Sequence, residues 1–151
     1  MEAGAEQALS KEPAASVPPI ERDGMAGHFG IRIVASSKEK VVGEMEADHR
    51  HLNAGGIVHG GAYMAFADDV GGTIAGLNKP ADMSTTTVES KSNFFRATQR
   101  GKLTAVSVPL HVGRRTIVVQ TSIFGPDGKL AALVTQTQLV IPRAPTEAPG
   151  E

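Results

Sequence analysis

The chain reads as an α+β domain in which one long helix is wrapped by an antiparallel sheet, and three features carry that expectation. A single segment, from Gly61 to about Asn78, has helical spacing, with Tyr63, Phe66, Val70, Ile74 and Leu77 three and four residues apart on one stripe of an α-helix. The flanking segments are long, rich in β-branched residues and separated by short turns, as strands are. One helix cannot cover both faces of so much sheet, so the sheet must curl around it.

The elements follow in order. "HFGIRIVAS" alternates Phe29, Ile31 and Ile33. "VVGEMEAD" sets Val41, Gly43, Met45 and Ala47 against Glu44, Glu46 and Asp48. Together these have the period-2 pattern of a half-buried hairpin. The helix comes next, and Asn78, Lys79 and Pro80 stop it. Four strands follow: "STTTVESKSNFFRAT", "KLTAVSVPLHV", "RTIVVQTSIFG" and "KLAALVTQTQLVIP". The last two are joined by "GPDGK", whose Asp-Gly signals a hairpin turn. Pro109 within a strand pattern implies an edge position or a bulge. Residues 1–20 are expected to form a disordered or loosely docked leader, 21–142 the folded domain, and 143–151 a flexible tail.

Composition narrows the function. At 151 residues one core is expected, and a net charge of −1 gives no electrostatic case for nucleic acid or an anionic membrane. With no cysteine, disulfides, thiol nucleophiles and cysteine metal sites are excluded. The start lacks the cationic region and apolar core of a secretory signal and no run is long enough to span a membrane, so a cytoplasmic protein is expected.

The run "HLNAGGIVHGGAYMAFADDV" (51–70) holds the candidate chemistry. A helix starting at Gly60-Gly61 points unsatisfied N–H groups and the positive end of its dipole into the preceding loop. Such a terminus suits a carbonyl oxygen that gains negative charge. A glycine-rich turn that merely lets the chain enter the helix explains the same composition. Asp68 and Asp69 point about 100° apart, so one can face solvent while the other lies near the apolar stripe. Two solvated helix charges are the plain alternative. His49, His51 and His59 lack the acidic or histidine partner that a metal site needs at a usual spacing, and His111 reads as an ordinary strand residue. No metal is expected. The small-residue run "VGGTIAG" (70–76) either leaves room for an acyl or aryl group or permits close helix–sheet contact.

The run "NAGGIVHGGAYMAFAD", with "NFFRAT" and "HVGRRT" further on, resembles the signature of hotdog-fold acyl-CoA thioesterases. The similarity is to the phenylacetate-degradation (PaaI-like) and 4-hydroxybenzoyl-CoA thioesterase kind, over roughly residues 25 to 142. Its most specific part is the spacing from Asn through His-Gly-Gly to Asp. The resemblance implies a hotdog fold, the helix as sausage within the sheet, and hydrolysis of an aryl- or medium-chain acyl-CoA to free acid and CoA. It assigns the backbone N–H that meets the thioester carbonyl to Gly60, with Gly61 beside it at the substrate, and the catalytic carboxylate to Asp68. His59 matches the family's histidine, which helps orient the thioester carbonyl or the loop, and Asn53 matches the catalytic-site asparagine or glutamine six residues before it. Thr86 or Thr87 matches the hydroxyl that holds the attacking water, with the register between them open. Arg96, Arg114 and Arg115 match basic positions that meet the CoA phosphates. Tyr63 and Phe66 are expected to line the acyl pocket. CoA enters as part of the substrate, and no separate cofactor is implied.

Gly60 and Asp68 are eight residues apart, about 12 Å along one helix, whereas a base must come within about 3 Å of its target. One helix therefore cannot bring both to one thioester. Two antiparallel helices of a two-fold dimer can. A homodimer is thus the expected minimal active unit, and the resemblance implies pairing of dimers into a homotetramer. A non-hydrolytic acyl-CoA-binding protein of the same fold is the alternative reading, and the presence of Asp68 argues against it. An enoyl-thioester hydratase would pair Asp and His in a different motif, which is not found.

Overall fold

The computed structural model describes residues 16–20 and 23–143. Strand β1 (Ser16–Ile20) precedes a one-turn helix α1 (Gly24–His28), then β2 (Arg32–Ser36) and β3 (Val41–Ala47). A 3-10 turn (His49–His51) and a loop lead to the long helix α2 (Gly60–Asn78). Four strands follow: β4 (Met83–Phe94), β5 (Gly101–Val112), β6 (Thr116–Phe124) and β7 (Leu130–Pro142). All seven strands form one sheet in the order β1-β2-β3-β5-β6-β7-β4, with every pairing antiparallel. This is the expected α+β architecture, the hotdog fold.

Helix α2 packs across the concave face because its sheetward side is apolar. Ala62, Tyr63, Phe66, Ala67, Val70, Ile74 and Ala75 are buried, at the three- and four-residue spacing of one helix face. Against them lie Met45, Leu103, Ala105, Ile117, Val119, Ile123 and Val134, all fully buried. Burying a side chain the size of Phe66 contributes about 1.5–3 kcal/mol. Gly43 on β3 permits the close approach, since a Cβ there would lie 2.6 Å from Val70 Cγ2. The alternation read in β3 holds, with Val41, Gly43, Met45 and Ala47 all buried. Pro109 marks a bulge against β6, and it lies beyond Ser107, where pairing of β5 with β3 ends. In the β6–β7 turn Gly128 takes φ +73°, and its N–H donates to Gly125 O.

Four expectations change. The leader's last five residues, 16–20, form a strand paired to β2, while residues 1–15 and the tail from 144 lie outside the described residues. Phe29 is not a strand residue: it follows α1 and meets the His51 ring edge-on at 5.3 Å, because Gly30 (φ +66°) turns the chain before Ile31. Leu77 is 39% exposed, although Ile74 and Ala75 just before it are fully buried. Tyr63 and Phe66 belong to the core. Among the described residues no helix is long and apolar enough to cross a membrane.

Candidate active site

The amino end of α2 is capped by its own histidine. His59 is extended (φ −68°, ψ 140°), and its Nδ1 accepts the Gly61 N–H at 2.8 Å. Accepting there makes Nδ1 the unprotonated nitrogen and leaves Nε2 as the ring's donor. Ala62 N–H goes to His59 O at 2.9 Å. The Gly60 N–H, at the first helical position, has no acceptor among the described residues. The Gly61 N–H is thus committed to the His59 cap, and Gly61 lines the groove wall described below. A Cβ at Gly60 would lie 3.3 Å from Phe94 Cζ, the far end of an exposed ring. Asn53 folds the preceding loop: its Oδ1 accepts Gly55 N–H at 2.8 Å and Ile57 N–H at 3.4 Å.

Asp68 lies two turns along, on the side of α2 that the sheet leaves open. Its Oδ1 accepts Gln136 Nε2 at 2.7 Å and Thr87 Oγ1 at 3.1 Å. Thr87 Oγ1 in turn accepts Gln138 Nε2 at 2.8 Å. The register left open in "STTT" is thereby decided for contact with Asp68. Thr86, opposite Leu139, falls on the other face of β4, and Thr87, opposite Gln138, meets Asp68. Asp68 is exposed and Asp69 is half-buried, so the adjacent carboxylates have separate surroundings.

A groove of about 450 Å³ runs along this open side, lined by Met25, Ala26, Ile31, Gly61, Met64, Ala65, Asp68, Asp69 and Ser90. Tyr63 and Phe66, expected at an acyl pocket, do not line it. Tyr63 and Phe66 are 3% and 0% exposed and face the sheet, where the Tyr63 hydroxyl hydrogen-bonds Thr98 Oγ1 and burial raises its pKa. Their place on the apolar stripe is what turns them away. Met64 and Ala65, one step around the helix, line the groove instead.

The three arginines do not form one site within a chain. Arg96 borders a depression of about 540 Å³ with Phe95, Thr98, Arg100 and Asp127, and its Nη1 lies 3.5 Å from Asp127 Oδ2. Arg114 and Arg115 occupy the β5–β6 turn, at the other end of the twelve-residue β5. A strand of that length spans roughly 35 Å, beyond the reach of one nucleotide. Sequence proximity to strand ends could not reveal which end each turn occupies.

With the geometry in place, the comparisons decide the family. The sequence matches the thioesterase superfamily over residues 55–132, a stretch that contains the Gly60 helix start, Asp68, Thr87 and Arg96. The chain belongs to the thioesterase superfamily. It is similar to the candidate esterase ComA2 of Bacillus subtilis, 32% identical over 75% of this chain and 90% of that one. It is 27% identical to the 1,4-dihydroxy-2-naphthoyl-CoA hydrolase of Escherichia coli, over 78% of this chain and 86% of that one. A Haemophilus influenzae thioesterase structure superposes with a TM-score of 0.77 at 27% identity, covering 83% of this chain and 88% of the other. The PaaI protein of Escherichia coli, 24% identical, shares the fold with a TM-score of 0.74, over 80% and 86% of the two chains.

Helix α2 thus carries a bare N–H at its start and a carboxylate two turns on, the latter bonded by a hydroxyl from β4. The sequence reading passed over Gln136 and Gln138. They share strand parity with the buried Ala132, Val134 and Val140, and amides on the buried face of a strand are the signal that could have found them.

Proposed function

We propose that the protein is a cytoplasmic acyl-CoA thioesterase that cleaves an aryl- or medium-chain acyl-CoA to the free acid and CoA. The observation that carries this reading is the Asp68 carboxylate, held at the groove by Thr87 and Gln136, on the same helix as the uncommitted Gly60 N–H. Asp68 acts as general base toward water, or attacks the carbonyl itself to form an anhydride that water opens. In either route the Gly60 N–H and the helix dipole stabilise the oxyanion. Thr87 holds the carboxylate and the water it activates.

Two copies share each site. Asp68 is tied to its own chain's β4 and β7, about 12 Å along the helix from its own Gly60, so the N–H it works with comes from the partner's helix. Among the described residues the twelve-residue β4 has a strand neighbour on one side only, and pairing its other edge with its copy would continue the sheet. Two such dimers would then associate as a tetramer. The groove's Met25, Ile31, Met64 and Ala65 suit an apolar acyl group, in keeping with a relative named for a naphthoyl-CoA. Arg96, with Arg100 beside it, offers the nucleotide phosphates basic partners.

A panel of aryl- and alkyl-CoA thioesters, with free thiol followed by a disulfide dye, tests the reading. Wild-type protein should release thiol. Asp68→Asn should lose about a hundredfold or more in kcat, and Asp69→Asn should retain most of its rate. Tight acyl-CoA binding without turnover would instead favour a non-hydrolytic binder. Equal losses in the two variants would reject the assignment of Asp68.

A further inference from the structure

Gln136 sits on β7 beneath α2, with no exposed surface. Its Nε2 donates to Asp68 Oδ1 at 2.7 Å, while its Oε1 is buried without a hydrogen-bond partner. A buried carbonyl with no donor costs free energy, and an apolar side chain of the same shape would avoid that cost. Helix α2 also makes room for it: a Cβ on Gly71 would collide with Gln136 Oε1. Of the two uses considered for the small-residue run, close helix–sheet contact therefore applies at Gly71. Two elements thus give up apolar packing and helix propensity to bring one amide to one carboxylate.

We propose that Gln136 is the positioning residue of Asp68, fixing Oδ1 so that Oδ2 is left for proton transfer or attack. The inference rests on the reading of Asp68 as the reacting carboxylate. A neutral amide suits this task, because an arginine or lysine in its place would hold the carboxylate ionised and weaken it as a base. The Gln138–Thr87 pair steadies the same oxygen from the strand edge, so Oδ1 is held from two directions.

The test is a double-mutant cycle with Gln136→Met, which keeps the bulk and removes the donor. In the wild-type background kcat should fall about ten- to a hundredfold, the range for losing a hydrogen bond to a charged group, with KM changed much less. In an Asp68→Ala background the same substitution should alter the residual rate by no more than about twofold, because its target is gone. A merely structural role would cost the same in both backgrounds, and that result, or wild-type kcat in the single variant, overturns the proposal. Gln136→Glu gives a second reading should Gln136→Met fold poorly. Two carboxyl groups within hydrogen-bond distance share a proton, so the acid limb of the kcat/KM profile should move up by about one pH unit or more. Asp69, the other titratable group of the groove, is unchanged in this comparison. An unmoved limb counts against Gln136. Full activity in Asp68→Ala would instead reject the underlying base assignment, whatever Gln136 does.

Discussion

Asp68 and Asp69 are neighbours in sequence, yet one side chain is drawn into a web of two amides and one hydroxyl while the other turns about 100° away. That difference was legible as a possibility from helix geometry; its outcome depends on residues 68 and 70 positions further on, which no local pattern supplies. Asp48 shows a second carboxylate under control. Its Oδ1 and Oδ2 accept the Arg50 guanidinium at 2.9–3.1 Å, and Oδ1 also takes the Arg50 N–H at 2.9 Å. These bonds, the side-chain one first, hold its pKa below the usual carboxylate range. Arg50 Nη1 reaches on to His28 O at 2.7 Å, and His51 Nε2 to Phe29 O at 3.0 Å, so this turn clasps the α1 segment whose Met25 and Ala26 wall the groove. A depressed folded-state pKa means that the contribution is fully present above the unfolded value, about 3.9, and is lost progressively as pH falls from there through the folded-state value. In thermal midpoints followed from about pH 6 to about pH 2, the gap between wild type and Asp48→Asn should therefore hold steady down to about pH 4 and then narrow progressively with each step toward acid. A gap between them that stays constant across the range would show that Asp48 ionisation does not support the clasp.

At the scale of elements, periodicity made α2 and the four long strands legible, since burial of one face imposes a repeat of 3.6 or 2 on the residues themselves. The same period that puts Tyr63 and Phe66 on the core stripe turns them away from the groove. Strand β1 escaped because its two prolines read as loop, and α1 because a single turn leaves no helical repeat to recognise. What α2 and β7 do jointly is also invisible to period: Gly71 looks like a weak helix residue until Gln136 is found against it. Alanine there would improve helix propensity by about 1 kcal/mol, yet its Cβ would displace the flexible Gln136 amide from Asp68. Gly71→Ala should consequently lose about tenfold in kcat, the lower range for a lost charge-assisted bond, without a matching loss of thermal stability. Calorimetry and steady-state rates on one preparation separate the two effects, and wild-type kcat would mean that the amide finds its place despite the added methyl.

For the whole molecule, the governing fact is that a thioester is small and the helix is long. Gly60 and Asp68 stand about 12 Å apart along α2, so the proposed site must be assembled from two chains, and that can be tested by complementation. Asp68→Asn removes the carboxylate. Gly60→Pro removes the N–H with little other disturbance, because Gly60 is the first helical residue, where proline is favoured. The preceding His59 already has the extended backbone that proline demands of its neighbour. The Phe94 ring, 3.3 Å from a Cβ at position 60, is exposed and can shift, and circular dichroism should verify that the variant folds. Each variant alone should be nearly inactive. In a mixed dimer one site receives the intact Gly60 of the first chain and the intact Asp68 of the second, while the other site receives both lesions. Co-expressed at equal levels with random pairing, half the dimers are mixed and each has one good site, so about a quarter of wild-type activity should return. If each site were built within a single chain, every site would keep one lesion and mixing would restore nothing. Absence of recovery in mixed dimers verified by two affinity tags would therefore rule out the shared site.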